Sequence, residues 1–236
     1  MLVSAETRWM RLARVGAVEV RADPTWWAML VISGLPLGAI GHAVLGLSAG
    51  RSIAFGAGFS LALAVSILVH EGGHALVGSR LGLQPIAIQG LWLGGATVYR
   101  RQAGSPSAKA LSAAAGPGAS ILMAAVIAAL AFAQPDLIIR LAALGFAGLN
   151  LGYALLNLVP AYPQDGGHLL QALLWWLLGD ESRALRVAGQ IGLVLAAAVM
   201  VAGVVVGTHT FLFSGILLAG QSVFLALASA KAITLA

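Results

Sequence analysis

The sequence predicts an all-α polytopic membrane protein with about six transmembrane helices and a small membrane-associated β-sheet. Three observations lead there. The 236 residues are 60% hydrophobic and only 9% charged, with a mean hydropathy of +0.95. The apolar residues gather in runs of roughly 20, the length a helix needs to cross the hydrocarbon core. Two stretches, near 13–23 and 82–100, break that pattern with alternation and glycine-rich interruptions. A polytopic chain of this length has room for about six spans and short connections. There are no cysteines, so disulfides and thiolate ligands are excluded, and any zinc site must use His, Asp or Glu. The net charge of +5 is spread among loops, which argues for membrane topology and against a nucleic-acid partner.

Taken in order, residues 13–23 alternate around Val18 and Val20 and predict a short strand. No apolar core precedes Trp26, so no cleavable signal peptide is expected. Trp26 and Trp27 mark an interface, and the first span runs from there to about Leu47, with Pro36 as a kink. A second span covers about 53–78. Residues 82–100 are too broken for a helix and predict strands joined through Gly94-Gly95 or Gln89-Gly90. Further spans are expected near 108–133, 137–159, 186–206 and 210–230. Between the fourth and fifth, His168 to Asp180 is too short to span and reads as an interfacial or re-entrant helix. With a cytoplasmic N-terminus, eleven of the thirteen Lys and Arg residues fall on the cytoplasmic side, leaving only Arg51 and Arg140 outside. Positive-inside asymmetry of this size predicts that both termini are cytoplasmic, in an integral protein of the cell membrane.

The chemistry concentrates in His70-Glu71-Gly72-Gly73-His74, inside the second span. Ionisable side chains in hydrocarbon cost a few kcal/mol each, so a function must keep them there. Residues i and i+4 share one helix face, so His70 and His74 can grip one Zn²⁺ with Glu71 beside it as a base. A zinc hydrolase needs a third protein ligand and an open position for water. Asp136 lies on the opposite side, and Asp180 and Glu181 sit in a charged turn. Asp165, after Pro160 and Pro163 at the cytoplasmic end of the fourth span, shares the side and depth of the histidines. It is the expected third ligand. The alternatives are an interhelical polar cluster for His70, Glu71 and His74, and a helix-capping acid for Asp165.

His70 to His74 as HExxH, together with Asn157 to Gly166 as NxxPxxxxDG, resembles the site-2 protease family of intramembrane zinc metalloproteases. The resemblance extends to Arg14 through Trp26, to the Gly94-Gly95 region and to the segment Ala115 to Ser120. It implies one Zn²⁺ held by His70, His74 and Asp165 with a bound water as fourth ligand, Glu71 as catalytic base, and Asn157 near the substrate. Gln164 and His168 depart from the residues usual in the family at those places. The implied activity is zinc-dependent hydrolysis of a peptide bond within or near a transmembrane segment of a membrane-bound substrate, in regulated intramembrane proteolysis. One substrate of that kind is the membrane-bound precursor of a transcription regulator.

The whole of 1–236 is expected to be one intramembrane metalloprotease domain. It comprises an N-terminal cytoplasmic strand region (1–25), a catalytic core (26–184) and two C-terminal transmembrane helices (185–236), with no PDZ or CBS domain. A proteolytically inactive scaffold that binds metal or client helices is the alternative function. A metal transporter would spread its acids and histidines through the membrane depth, whereas here they gather at one level. His168 and Asn150 stay open as contributors to the site, and Trp92 could contact either substrate or lipid.

Overall fold

The computed structural model describes residues 9–44, 46–91, 94–209 and 212–236. Two strands open the chain, β1 (Met10–Val15) and β2 (Val18–Ala22), followed by helices α1 (Pro24–Ala43) and α2 (Ala49–Arg80). Strands β3 (Pro85–Leu91) and β4 (Gly94–Tyr99) come next. The rest is helical: α3 (Pro106–Phe132), α4 (Leu137–Asn157), α5 (Asp165–Leu178), α6 (Glu181–His209) and α7 (Leu212–Thr234). Among the described residues, α1, α2, α3, α4 and α6 are long and apolar enough to cross a membrane, and α7 is apolar over Leu218–Thr234. Large apolar side chains such as Ile53 and Phe132 are about three-quarters exposed (73% and 74%). A protein in water would bury them; lipid tails are the solvent that suits them.

The expected strand over 13–23 is a hairpin instead. Gly16 takes the left-handed conformation (φ +61°) and turns the chain between β1 and β2. The four strands form one sheet in the order β1-β2-β3-β4. β2 and β3 pair in parallel, because two helices intervene, and the other pairs are antiparallel. The link between β3 and β4, including Trp92, lies outside the described residues. The dipeptides expected at the joint sit within the strands themselves, Gln89-Gly90 in β3 and Gly94-Gly95 in β4. The short helix expected from His168 begins three residues earlier, at Asp165.

The chain divides into two compact units. One holds the N-terminal segment through Gln102 together with Gly118–Asn150. Here α1 and α2 pack through glycines: a Cβ on Gly56 would lie 2.5 Å from the Gly34 carbonyl oxygen, and one on Gly34 would lie 2.7 Å from that of Gly56. Small residues let the helix backbones approach, and the Ser60 hydroxyl donates across them to the Leu30 carbonyl. Asp23 caps α1 by accepting from the Trp26 N–H at 3.0 Å, while its own N–H donates to the Gly90 carbonyl of β3. The Trp26 ring lies against Gly90, where a Cβ would clash at 2.7 Å. The sheet is thereby seated on the start of α1.

The other unit holds Ala103–Pro117 and Leu151–Ala236. Its helices α6 and α7 again meet through small residues, with Gly189 and Gly192 against Ser229. Ala161, Ala196 and Leu225 form one apolar cluster, and Tyr162, Ala188 and Ala232 another. Both clusters pack the loop after α4 onto α6 and α7. Lys109 pairs with Glu181 at 3.4 Å, joining the starts of α3 and α6.

Candidate metal centre

Helix α2 runs unbroken through His70-Glu71-Gly72-Gly73-His74, so the two histidines, at i and i+4, share one helix face. All three ionisable side chains are buried, with exposures of 1%, 4% and 8% for His70, Glu71 and His74. The Nε2 atoms of His70 and His74 lie 3.3 Å apart, with the rings edge to face at 74°. Two ligands at the zinc–nitrogen bond length of about 2.0–2.1 Å, spread at the tetrahedral angle, would be about 3.3 Å apart. The imidazole pair therefore fits two corners of a tetrahedral zinc site.

Contacts from distant parts of the sequence hold each of these groups. The His70 Nδ1 atom lies 3.0 Å from the Ser120 hydroxyl of α3, and both residues are fully buried. With Nδ1 protonated and directed at Ser120, Nε2 keeps its lone pair for a metal. Thr97 of β4 donates from Oγ1 to Glu71 Oε2 at 2.7 Å and also approaches the Glu71 carbonyl at 3.1 Å. Gly95, two residues earlier on the same strand, leaves room for that side chain: a Cβ there would lie 2.6 Å from Glu71 Cγ. Tyr99, two residues later, donates from its hydroxyl to the His74 carbonyl at 2.9 Å, and its ring rests on Gly78. One face of β4 thus lines the motif turn of α2.

Asp165 is the first residue of α5. Pro160 and Pro163 interrupt the chain after α4, and the Ala161 and Gln164 N–H groups bond back within the loop to Val159 and Ala161. Gly166 and Gly167 permit the return, since a Cβ on Gly167 would lie 2.8 Å from the Ala161 backbone, and one on Gly166 would overlap the Leu158 and Val159 carbonyls. Tyr162 braces the loop by donating to Gln171 Oε1. Burial, reinforced by the Glu181 carboxylate, pushes the Tyr162 phenol above its ordinary range, so it keeps that proton. His70 and His74, both in the first unit, each offer one ligand atom to a metal ion, and Asp165 stands at the start of α5 in the second. Two imidazoles and a carboxylate are a donor set that zinc accepts while leaving a position open.

The other candidates sit as follows. Asn157 ends α4, and its amide donates to the Tyr153 carbonyl one turn back, at 2.9 Å. Asn150 makes the same backbone contact with Phe146, but fully buried. The His168 ring stands edge-on to Tyr162, 4.9 Å between centroids. His42 contacts the Leu47 carbonyl in the loop after α1. Ser120 and Thr97 are site contacts that the sequence alone does not reveal. Thr97 lies in the stretch read as strands and Ser120 in the third expected span, and neither is marked there by its residue type.

No family model matches the chain. It is 37% identical over 173 residues to the "Putative zinc metalloprotease Rip3" of Mycobacterium tuberculosis, covering 68% of this chain and 44% of that protein. It is 27% identical over 184 residues to a "Putative zinc metalloprotease" of Synechocystis, covering 78% and 48% respectively. The chain spans about half the length of the curated relatives it matches. Among solved structures, it matches the "Site-2 Protease from Methanocaldococcus jannaschii" with a TM-score of 0.67 and 23% identity, over 96% of this chain and 95% of that one. These likenesses, in sequence and in fold, support the site-2 protease family that the two motifs suggest.

Proposed function

We propose that this chain, which shares the fold of a site-2 protease and resembles that family in sequence, is an intramembrane zinc endopeptidase. It cuts a peptide bond within or near a transmembrane segment of another membrane protein. The observation that carries the reading is the pair of buried imidazoles, 3.3 Å apart on one helix that is apolar enough to cross a membrane. Buried ionisable groups inside an apolar span are costly, and a metal repays that cost. His70, His74 and Asp165 are the ligands in this reading, Glu71 is the base, and Asn157 lies near the substrate. Zinc, when bound there, supplies a Lewis acid for the scissile carbonyl and a water that ionises near neutral pH.

The remaining chemistry falls to the chain's own residues. Glu71 accepts a proton from the attacking water and returns it to the leaving amine. A helical substrate hides its peptide bonds and must unwind locally, which exposes N–H and C=O groups at high cost in lipid. The open edge of the sheet, within residues 88–99, replaces those bonds by β-augmentation. The Gly90 carbonyl accepts from Asp23, on the β2 side, so Gly90 turns its polar groups away from β4. Its partner Gly95, and Thr97 two residues on, therefore direct their own N–H and C=O groups away from β3, towards the open edge. Both termini face the cytoplasm in this reading, with the metal nearer that side, and the physiological role is regulated intramembrane proteolysis. The test compares Glu71→Gln with wild type on a transmembrane reporter. Loss of cleavage with retained zinc is expected; equal activity in both refutes the enzyme.

A further inference from the structure

We infer that Thr97 is the positioning residue for Glu71, fixing one carboxylate oxygen so that the other is presented for proton transfer. The inference rests on Glu71 being the base, as proposed above. Thr97 has a single hydroxyl proton, and the 2.7 Å approach to Glu71 Oε2 outcompetes the 3.1 Å approach to the Glu71 carbonyl. Glu71 is almost fully buried, where a short charge-assisted hydrogen bond both stabilises a carboxylate and fixes its orientation. The strand is shaped for this contact. Gly95 clears the space that the Glu71 side chain fills, Thr97 supplies the donor, and Tyr99 fixes the main chain at His74.

A second property of Thr97 gives the contact its meaning. Its side chain faces α2, while its main-chain groups belong to the set turned towards the open edge of the sheet. The residue that orients the base thus lies in the strand proposed to receive the unwound substrate. A substrate strand seated on that edge is held at a fixed register from Glu71, one side chain away. Near-attack geometry tolerates little error, and a misplacement on the scale of 1 Å costs about a hundredfold in rate.

The decisive experiment uses the purified full chain in detergent or lipid, with Thr97→Val, Thr97→Ser and Glu71→Gln measured beside wild type. Valine keeps the shape and β-propensity of threonine but removes the donor; serine keeps the donor. Thr97→Val is expected to lower kcat by about tenfold to a hundredfold with KM within about twofold. Zinc content, and the visible spectrum of the cobalt-substituted protein, should stay at wild-type values. Thr97→Ser should recover most of the rate. Should Thr97→Val fail to accumulate, Thr97→Ala against Thr97→Ser makes the same comparison. Full activity without the hydroxyl, a change confined to KM, or loss of metal in the valine variant would each overturn the inference. Glu71→Gln separates the two layers. If it stays active, the enzymatic reading has failed; if it is inactive while Thr97→Val is fully active, only the positioning role has failed.

Discussion

Removing the Ser120 hydroxyl should weaken zinc binding without unfolding the protein. Ser120 and His70 are both fully buried, and Nδ1 lies 3.0 Å from the hydroxyl. In Ser120→Ala, that buried imidazole N–H loses this acceptor, a loss worth about 1–3 kcal/mol. Part of it is felt with and without metal, and that part cancels. A metal on Nε2 draws charge from the ring and makes the Nδ1–H a stronger donor, so the larger share falls on the zinc-bound state. Outer contacts of this type contribute roughly tenfold to a hundredfold in metal affinity. The assay is competition for zinc between the solubilised protein and a chelator of known affinity, with thermal unfolding as the control. A zinc affinity in Ser120→Ala equal to wild type, in a protein that unfolds normally, would show that Ser120 does not set the imidazole.

Asp165→Ala should lower zinc affinity by more than the roughly hundredfold limit of an outer contact, because in the proposed site it removes a ligand rather than its support; chelator competition ranks it against Ser120→Ala. Gly56→Ala puts a methyl 2.5 Å from the Gly34 carbonyl oxygen, so α1 and α2 must part. A loss of about 1–3 kcal/mol, read as a lowered melting temperature, is expected, and an unchanged one would contradict the close packing. Proline placed singly at successive positions across 88–99 should reduce cleavage of a transmembrane reporter and spare zinc. If none of these variants is impaired, the strand edge does not receive the substrate.

What the sequence disclosed, and what it kept back, follows from how far each feature reaches along the chain. The spans are legible because hydrophobic length is a local quantity, and α1, α2, α3 and α4 fall where apolar runs place them. The imidazole pair is legible because four residues of helix fix its geometry in advance. The N-terminal hairpin is not, because every residue of β1 is exposed, and a strand with no buried face carries no burial period to read. Arg51 makes Ala49-Gly50-Arg51 resemble a loop, yet these residues form the first turn of α2.

The positioning contacts are hidden for a deeper reason. Thr97 lies 26 residues from Glu71 and Ser120 lies 50 from His70, and no periodicity connects such pairs. Each depends on another level of structure: strand register for Thr97, helix packing for Ser120. Each is also a small hydroxyl residue, whose type alone signals nothing in a membrane helix or a strand. The imidazole pair and the acid beside it can thus be read from spacing, because they share one stretch of one helix. The groups that orient them carry no such constraint. A hydroxyl can arrive from any element that packs against that turn, so the support of a site becomes visible only when the elements are assembled around it.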